Sequence, residues 1–250
     1  MHRFFVPPTE VRSQGFALPE GESRHAAQVL RVRVGESVQV LDGAGRKYAC
    51  VVASVDRRQV WLQVEREDFV PSATIGVEVF PAVAKGKAME LIIQKAVELG
   101  ANMISPILCE HSVAQYEADR AEDKAVKWQV TATEALKQCG REWLPKVSIP
   151  RTLVECLGDK DTAVLDIVAA LQSGAVSTRQ CLEDYLQEHG SWPKTIRLWV
   201  GPEGDYSPAE YAALAVHGAK AVTLGTHVLR CETAMLALLA ICQHELMTRT

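Results

Sequence analysis

The chain has 250 residues, which suits one large domain or two smaller ones at roughly 100–200 residues each and excludes a miniature scaffold. With 48% hydrophobic and 23% charged residues, its composition is that of a globular protein with a real core and argues against extensive disorder. The net charge of −4 at pH 7 argues against a protein that coats nucleic acid indiscriminately.

The sequence contains no candidate membrane span or secretion signal. The longest apolar stretch near the C-terminus, Ala234 to Cys242, is shorter than the roughly 20 residues that cross a bilayer. Residues 1–8 lack the apolar segment and the cleavage site of a signal peptide, and we expect a cytoplasmic protein. The seven cysteines are odd in number and scattered, which predicts reduced core thiols and no metal site.

Residues 1–70 predict a small β-barrel or sandwich. Alternating apolar and polar residues indicate strands at Val38–Leu41, Tyr48–Val55 and Val60–Val64, separated by turn-forming residues. Short strands at this spacing are typical of such folds. A helix is expected around Ser23–Leu30. The stretch Phe69–Ala73 resembles a linker, so we expect the first domain to end near residue 70 and the second to begin near residue 74.

From residue 74 onward, predicted strands alternate with predicted helices. Apolar residues between Met89 and Val97 recur at helical spacing, and Gly100 is well placed to end that helix. This alternation predicts an α/β domain with a largely parallel sheet. The other elements are expected in this order: strands Val77–Phe80 and Met103–Leu108, a helix from about Glu117 to Gln138, and strands Ala163–Val168 and Ile196–Val200.

Capping residues mark two helix starts. Ser207, Pro208 and Glu210 stand in the register of a capping box with a first-turn proline. Ser177 and Gln180 repeat the Ser/Gln version of the same box. We therefore expect one helix to begin after each serine.

Two glycine-containing turns follow apolar strands near the C-terminus. One is Gly201–Gly204, and the other, Leu224–Arg230, leads into an apolar helix that begins at Cys231. Ligands bind at the carboxyl ends of strands in open α/β sheets, so the two turns can form two walls of one pocket. A tight strand-to-helix connection explains the first turn equally well. Neither turn is a dinucleotide or triphosphate fingerprint.

The order of these motifs resembles the RsmE family, the bacterial 16S rRNA uridine-N3 methyltransferases of the SPOUT superfamily. The resemblance covers nearly the whole chain and is carried by Arg3–Phe5, Val29–Gly35, Lys85–Gly100, Gln138–Arg141, Gly201–Gly204 and Leu224–Ala234. It implies a PUA-like RNA-binding β-barrel over residues 1–70 and a SPOUT methyltransferase domain over residues 74–250. It also implies a deep trefoil knot within about residues 160–250, and a homodimer.

The resemblance further implies S-adenosyl-L-methionine (SAM) as the cofactor, with no metal. Adenine and the methionine backbone need peptide groups at close range, which glycines permit. The expected cofactor-binding residues are Val200, Gly201, Pro202, Glu203, Gly204, Leu224, Gly225, Val228, Leu229, Arg230, Thr233 and Ala234.

Arg230 is the expected cation that stabilises the uridine anion as N3 loses its proton, and Glu232 or Glu203 is the candidate base. Either carboxylate can instead serve only to satisfy backbone N–H groups at a helix terminus. His111 stands where the family carries Arg, and Cys231 where it carries Thr. The expected partner is 16S rRNA in the small ribosomal subunit, and its candidate contacts are Arg3, His25, Arg31, Arg33, Lys85, Lys95, His111, Gln138 and Arg141.

Other functions remain open from the sequence. Ribose 2′-O methylation is disfavoured because the final helix does not open with Ser-Leu-Asn. A non-catalytic RNA-binding or ribosome-assembly factor on the same scaffold is disfavoured by the intact pair of glycine turns. An unrelated α/β enzyme with a phosphorylated cofactor is disfavoured because the phosphate fingerprint is missing.

Overall fold

The chain forms two compact units in the computed structural model, which describes residues 1–56, 58–112, 118–158, 163–170 and 174–247. The first unit comprises Met1–Ser72 and Thr133–Leu144. The second comprises Ala73–Ala132 and Pro145–Thr250. The segment Thr133–Leu144 therefore belongs to the first unit, although it lies about 60 residues beyond that unit's other part in the sequence.

The first unit is built on a five-stranded sheet. Its strands are β1 (Arg3–Phe5), β2 (Gly15–Ala17), β3 (Ser37–Leu41), β4 (Arg46–Val55) and β5 (Val60–Phe69). They lie in the order β1-β3-β4-β5-β2, with β1 parallel to β3 and the other neighbours antiparallel. The three strands predicted from alternation are β3, β4 and β5. The register of β4 against β5 shifts twice, and such irregularities increase the twist and bend of a sheet.

The helix predicted around Ser23–Leu30 has two parts. Residues Glu20–Arg24 form α1, and His25–Leu30 continue it as a π-helical turn. Arg31 ends the turn in the left-handed conformation, with φ of 55°. The buried Ser23 hydroxyl donates to Leu18 O at 2.8 Å and accepts from the Val60 amide at 3.1 Å, which fixes this helical segment to β5.

The second unit contains a six-stranded, entirely parallel sheet, as the alternation predicted. The strands of this sheet are β6 (Gly76–Pro81), β7 (Met103–Ile104), β9 (Lys146–Val147), β11 (Val164–Ala169), β12 (Thr195–Val200) and β13 (Lys220–Val222). Two further strands, β8 (Ile107–Leu108) and β10 (Arg151–Thr152), form a separate pair. The order is β13-β11-β12-β6-β7-β9, and β8 pairs with β10. The single strand predicted at Met103–Leu108 is two strands, because Pro106 between them has no N–H for the ladder.

The second unit and the segment that joins it to the first contain six helices in the described ranges. They are α2 (Lys87–Glu98), α3 (Ala118–Cys139), α4 (Leu153–Leu157), α5 (Thr178–His189), α6 (Pro208–His217) and α7 (Cys231–Met247), of which α4 was not predicted individually. Gly100 follows α2 with φ of 91°, as expected of a helix-ending glycine. The predicted start of α3 at Glu117 lies outside the described residues. Within the described ranges, no helix combines the length and the apolar character needed to cross a membrane.

One predicted capping box is complete and the other is half formed. The Ser207 hydroxyl accepts from the Glu210 amide, and the Glu210 carboxylate accepts from the Ser207 amide at 2.8 Å. Ser177 accepts from the Gln180 amide at 3.1 Å. The Gln180 side chain does not accept from the Ser177 amide in return; its Nε2 instead donates to Asp184 at 2.8 Å, one turn onward. A hydrogen bond to a charged carboxylate is stronger than one between neutral groups, so Gln180 orients toward Asp184.

A charged network is buried beneath the sheet of the second unit. Asp166 on β11 accepts from Trp199 Nε1 and from Arg197 Nη2, each at 2.7 Å, and both donors lie on the adjacent β12. The Trp199 ring also stacks on Phe80, with 4.1 Å between ring centroids. His217 Nε2 lies 2.8 Å from Arg197 Nη2. This network fixes β11 against β12 immediately before the strands end.

The seven cysteines are free thiols, and six of them are buried. Cys139 is the exposed one. The prediction of reduced, mainly core thiols is therefore confirmed.

Candidate functional site

A cavity of about 220 Å³ lies at the carboxyl ends of three adjacent parallel strands in the second unit. Ala169 ends β11, Val200 ends β12, and Leu224 follows β13. The two glycine-containing turns that the sequence singled out therefore line one cavity. Its lining residues are Ala169, Ala170, Val200, Gly201, Pro202, Glu203, Asp205, Tyr211, Leu224, His227, Val228, Leu229, Cys231 and Ala234.

The first turn is held in shape by Asp205. The Asp205 amide donates to Pro202 O at 2.9 Å, and Asp205 has a φ of 62°, a left-handed conformation that aspartate tolerates. Its Oδ1 accepts from the Tyr206 amide at 2.8 Å and from the Tyr211 hydroxyl at 2.7 Å. Burial raises the pKa of Tyr211, and the hydrogen bond to Asp205 raises it further. Tyr211, on α6, is thereby drawn into the wall of the cavity.

Gly201 allows the first turn to pack closely against Tyr206. A Cβ at Gly201 would lie 3.1 Å from two ring carbons of Tyr206, whose side chain is buried. The Tyr206 ring also makes an edge contact with Tyr211, with 5.3 Å between centroids. Burial raises the pKa of Tyr206 well above its ordinary value, so its phenol stays protonated.

The second turn is shaped by Thr223 and Gly225. Thr223 Oγ1 donates to Gly225 O and accepts from the Gly225 amide, both at 3.2 Å. Gly225 has a φ of 123°, a conformation that residues with a Cβ rarely adopt. Beyond it, Val228 is 79% exposed and forms an apolar wall.

Most of the predicted cofactor residues meet at this cavity, but four do not line it. The residues outside its lining are Gly204, Gly225, Arg230 and Thr233. Each of them is the direct sequence neighbour of a residue that does line the cavity. Sequence reasoning missed Ala169, Ala170, Asp205, Tyr211, His227 and Cys231. The two alanines were missed because the end of β11 carries no motif. Tyr211 was missed because only the tertiary structure shows that α6 lies beside the cavity.

The two candidate catalytic residues stand at the start of α7. Arg230 is exposed, and no partner for its guanidinium is found in the described part of the chain. Glu232 is half-buried, and its Oε2 is buried with no hydrogen-bond partner among the described residues. A helix N-terminus favours negative charge, which suits the Glu232 carboxylate.

Cys231 occupies the position where the family is expected to carry threonine. Its Sγ donates to Ala82 O at 3.6 Å, so the thiol has a hydrogen-bond acceptor of its own at this position. Burial, with smaller contributions from Glu203 and Glu232, raises its pKa to about 12. Cys231 is therefore a neutral donor in the wall of the cavity.

The candidate RNA contacts of the first unit fall into two groups. Arg3 is engaged inside the unit, since it donates to the Gln39 side chain at 3.1 Å and to the carbonyls of Lys137 and Gln138 at 3.3 and 2.7 Å. Arg3 thus attaches the end of α3 to β1. Burial lowers the pKa of the half-buried Arg141. The exposed candidates are His25, Arg31, Arg33 and Gln138.

The candidates of the second unit differ in their surroundings. Lys85 is exposed just before α2. Lys95 forms an ion pair with Glu98, with 2.8 Å between Nζ and Oε2. His111 Nδ1 lies 3.1 Å from Gly204 O and 3.0 Å from Asp205 O, so its ring contacts the first turn of the cavity.

Carboxylates, imidazoles and thiols do not cluster as a metal would need. Across the part of the chain that the structure describes, no group of three or more His, Cys, Asp and Glu side chains is arranged to hold an ion.

Comparison with known proteins identifies the family. Residues 71–243 match the family described as RNA methyltransferase domain, and residues 18–65 match the RNA methyltransferase PUA domain. The ribosomal RNA small subunit methyltransferase E of Mycobacterium bovis is 33% identical over 217 residues, covering 85% of this chain and 80% of that protein. Its counterpart from a Synechocystis strain is 29% identical over 244 residues, covering 96% and 76%.

A solved structure agrees over the full length. The ribosomal RNA small subunit methyltransferase E of Neisseria gonorrhoeae bound to S-adenosyl methionine superposes with a TM-score of 0.84 at 27% identity. The match covers 98% of this chain and 97% of that one. The PUA match lies within the five-stranded sheet of the first unit, and the methyltransferase match covers the parallel α/β sheet of the second. The chain belongs to the ribosomal RNA small subunit methyltransferase E family.

Proposed function

We propose that this protein transfers a methyl group from SAM to N3 of a uridine in the 16S rRNA of the small ribosomal subunit. The observation that carries the proposal is the meeting of the Gly201–Asp205 and Leu224–Arg230 turns at one cavity, at the carboxyl ends of parallel strands. The family match and the SAM-bound relative support the same ligand.

The residues at the cavity fit SAM. The backbone N–H groups of Leu224, Val228 and Leu229 have no hydrogen-bond partner in the described part of the chain, so they are free to bind an adenine or a carboxylate. The exposed Val228 and the neighbouring Leu224 offer apolar surface for the adenine ring. Glu203 is exposed at the rim and suits an ammonium or ribose hydroxyl group. When bound, SAM supplies a methyl group on a positively charged sulfur.

The protein's task is to orient the uracil and remove its N3 proton. We assign the exposed Arg230 guanidinium to the uracil, where its charge stabilises the anion that forms. We assign the N3 proton to the carboxylate of Glu232, which is half-buried at the start of α7 next to Arg230 in sequence. Cys231, which stands between them in the sequence and lines the cavity, stays a neutral thiol because burial raises its pKa to about 12.

The wider assignments follow from the family resemblance. We propose that residues 1–70 contribute RNA contacts through His25, Arg31 and Arg33, which are exposed. We further propose that the chain is a cytoplasmic homodimer and that its C-terminal part, within about residues 160–250, is knotted. Size measurement by light scattering tests the dimer directly.

The experiment that tests the activity transfers labelled methyl groups from SAM to small ribosomal subunits that lack this modification, followed by digestion to nucleosides. We expect 3-methyluridine. A different methylated nucleoside would overturn the N3 assignment but keep the enzyme class. No transfer, together with no SAM binding, would indicate a non-catalytic RNA-binding or assembly factor on the same scaffold.

A further inference from the structure

We infer that His111 is a positioning residue that holds the Gly201–Asp205 turn in the shape that binds SAM. This inference rests on the proposed function and adds to it a residue from the turn that follows β8. His111 lies outside the cavity lining, so its effect passes through the turn that it contacts.

The first observation is a pair of hydrogen bonds. His111 Nδ1 lies 3.1 Å from Gly204 O and 3.0 Å from Asp205 O. A carbonyl oxygen only accepts, so Nδ1 carries the hydrogen and donates to both in a shared bond. The contact therefore exists with the ring neutral in the Nδ1–H tautomer and also with the ring charged.

The second observation is the close approach of the two backbones. Gly204 is the residue of the Val200–Asp205 stretch that does not line the cavity. A Cβ on Gly204 would lie 3.0 Å from the Cβ of His111, closer than ordinary contact. The structural role of Gly204 is therefore outside the cavity, because the absence of a side chain allows the turn to pack directly against His111.

The third observation is that His111 is itself held in place. Residues Cys109–Ser112 form a turn after β8, closed by the Ser112 amide on Cys109 O and by the Cys109 amide on Ser112 Oγ, both at 3.0 Å. The Glu110 amide donates to Glu210 Oε1 at 3.0 Å, and Glu210 also caps α6. The Cys109–Ser112 turn is therefore attached both to the cavity turn and to the helix that follows it.

The consequence is that the backbone at Gly204 and Asp205 has a fixed orientation before any ligand arrives. A preformed site binds its ligand more tightly because less conformational entropy is lost on binding. Removing the imidazole frees two carbonyls and lets the turn sample other shapes. SAM binding then weakens, whereas the reaction of the bound complex keeps its rate.

The test measures SAM affinity of the full chain by calorimetry for four variants. We expect His111→Ala to bind SAM about five- to tenfold more weakly, the effect of losing a modest hydrogen bond. His111→Asn places an amide donor near the Nδ1 position and should retain most of the affinity. His111→Gln places its donor near Nε2 and should not. Glu110→Ala is the matched control, because only the backbone of Glu110 makes the neighbouring contact.

Two further readouts separate positioning from other roles. In methyl transfer, KM for SAM should rise in His111→Ala while kcat stays within twofold. Amide hydrogen exchange without SAM should become faster at Gly204 and Asp205 in His111→Ala and remain unchanged in Glu110→Ala. Wild-type SAM affinity in His111→Ala overturns the inference, and so does equal weakening in the Asn and Gln variants.

The failure of the inference and that of the proposed function have different signatures. Unchanged SAM affinity with weaker binding to the small subunit would show that His111 contacts RNA and not the turn. A wild-type chain that binds no SAM, with faster exchange still seen in His111→Ala, would overturn the proposed function and support the positioning role.

Discussion

Substituting Gly201 with alanine tests whether the cavity is the SAM site. The added methyl group would lie 3.1 Å from Cδ2 and Cε2 of Tyr206 and 3.4 Å from Cγ. Unstrained carbon contacts lie at about 3.5–4.0 Å, so the turn or the ring must move by several tenths of an ångström. Tyr206 is 4% exposed and its ring also contacts Tyr211, so the ring has little space to retreat.

The expected loss follows from this overlap. Overpacking a filled site costs about 1–3 kcal/mol, and one methyl group against a ring belongs at the lower end. If the turn moves, about 1.4 kcal/mol of that cost appears as tenfold weaker SAM binding. We therefore expect Gly201→Ala to bind SAM about tenfold more weakly by calorimetry, with urea unfolding still cooperative and its m-value unchanged.

Gly76→Ala is the matched control in the same unit. Gly76 begins β6, at the end of the sheet away from the cavity, which lies at the carboxyl ends of the parallel strands. A Cβ at Gly76 would meet no atom closer than 3.8 Å. We expect wild-type SAM affinity in this variant. Equal affinity in Gly201→Ala and Gly76→Ala would refute the assignment of the cavity to SAM.

Three further predictions concern the base, the buried network and the thiols. Glu232→Gln should lower the methyl-transfer rate about 100-fold with SAM affinity unchanged, and an undiminished rate would exclude Glu232 as the base. Asp166→Ala leaves the largely buried Arg197 without its carboxylate, so urea denaturation should report a loss of about 3–5 kcal/mol, and a loss below about 1 kcal/mol would contradict the role of this pair. Burial raises the pKa of Cys242 to about 12 from 9.0, so between pH 9 and 12 the unfolded thiol ionises while the folded one does not. Stability should fall as pH rises, by on the order of 1 kcal/mol at pH 10 from this thiol, and Cys242→Ala should reduce that slope when unfolding is compared at pH 8 and 10.

Local patterns were sufficient for most secondary structure. The strands around Val38, Tyr48 and Val60 and the cap at Ser207 depend on neighbours within a few residues, so they could be predicted from the chain alone. The division of Met103–Leu108 into two strands was missed although Pro106 signalled it. The spacing of Ser177 and Gln180 predicts a full capping box, but Asp184, one turn onward, takes the Gln180 side chain instead.

The two glycine turns were also recognisable in the sequence, because their motifs are local and stand after apolar strands. Their meeting at one cavity depended on the strand order β11-β12 with β13 on the outer side, which no local pattern specifies. Ala169 and Tyr211 were missed for this reason, since neither side chain carries a chemical signal of its own.

The sequence by itself determined the family, the alternation of strands and helices, and the residues of both turns, because each depends on patterns among residues close together in the chain. Only the tertiary structure decided that Arg3 attaches Thr133–Leu144 to the first unit and that His111 contacts Gly204 rather than standing free. Those contacts join residues about 90 to 135 positions apart. Such pairs form only when the whole backbone brings them together, and the polar groups involved give no sign of their partner until it does.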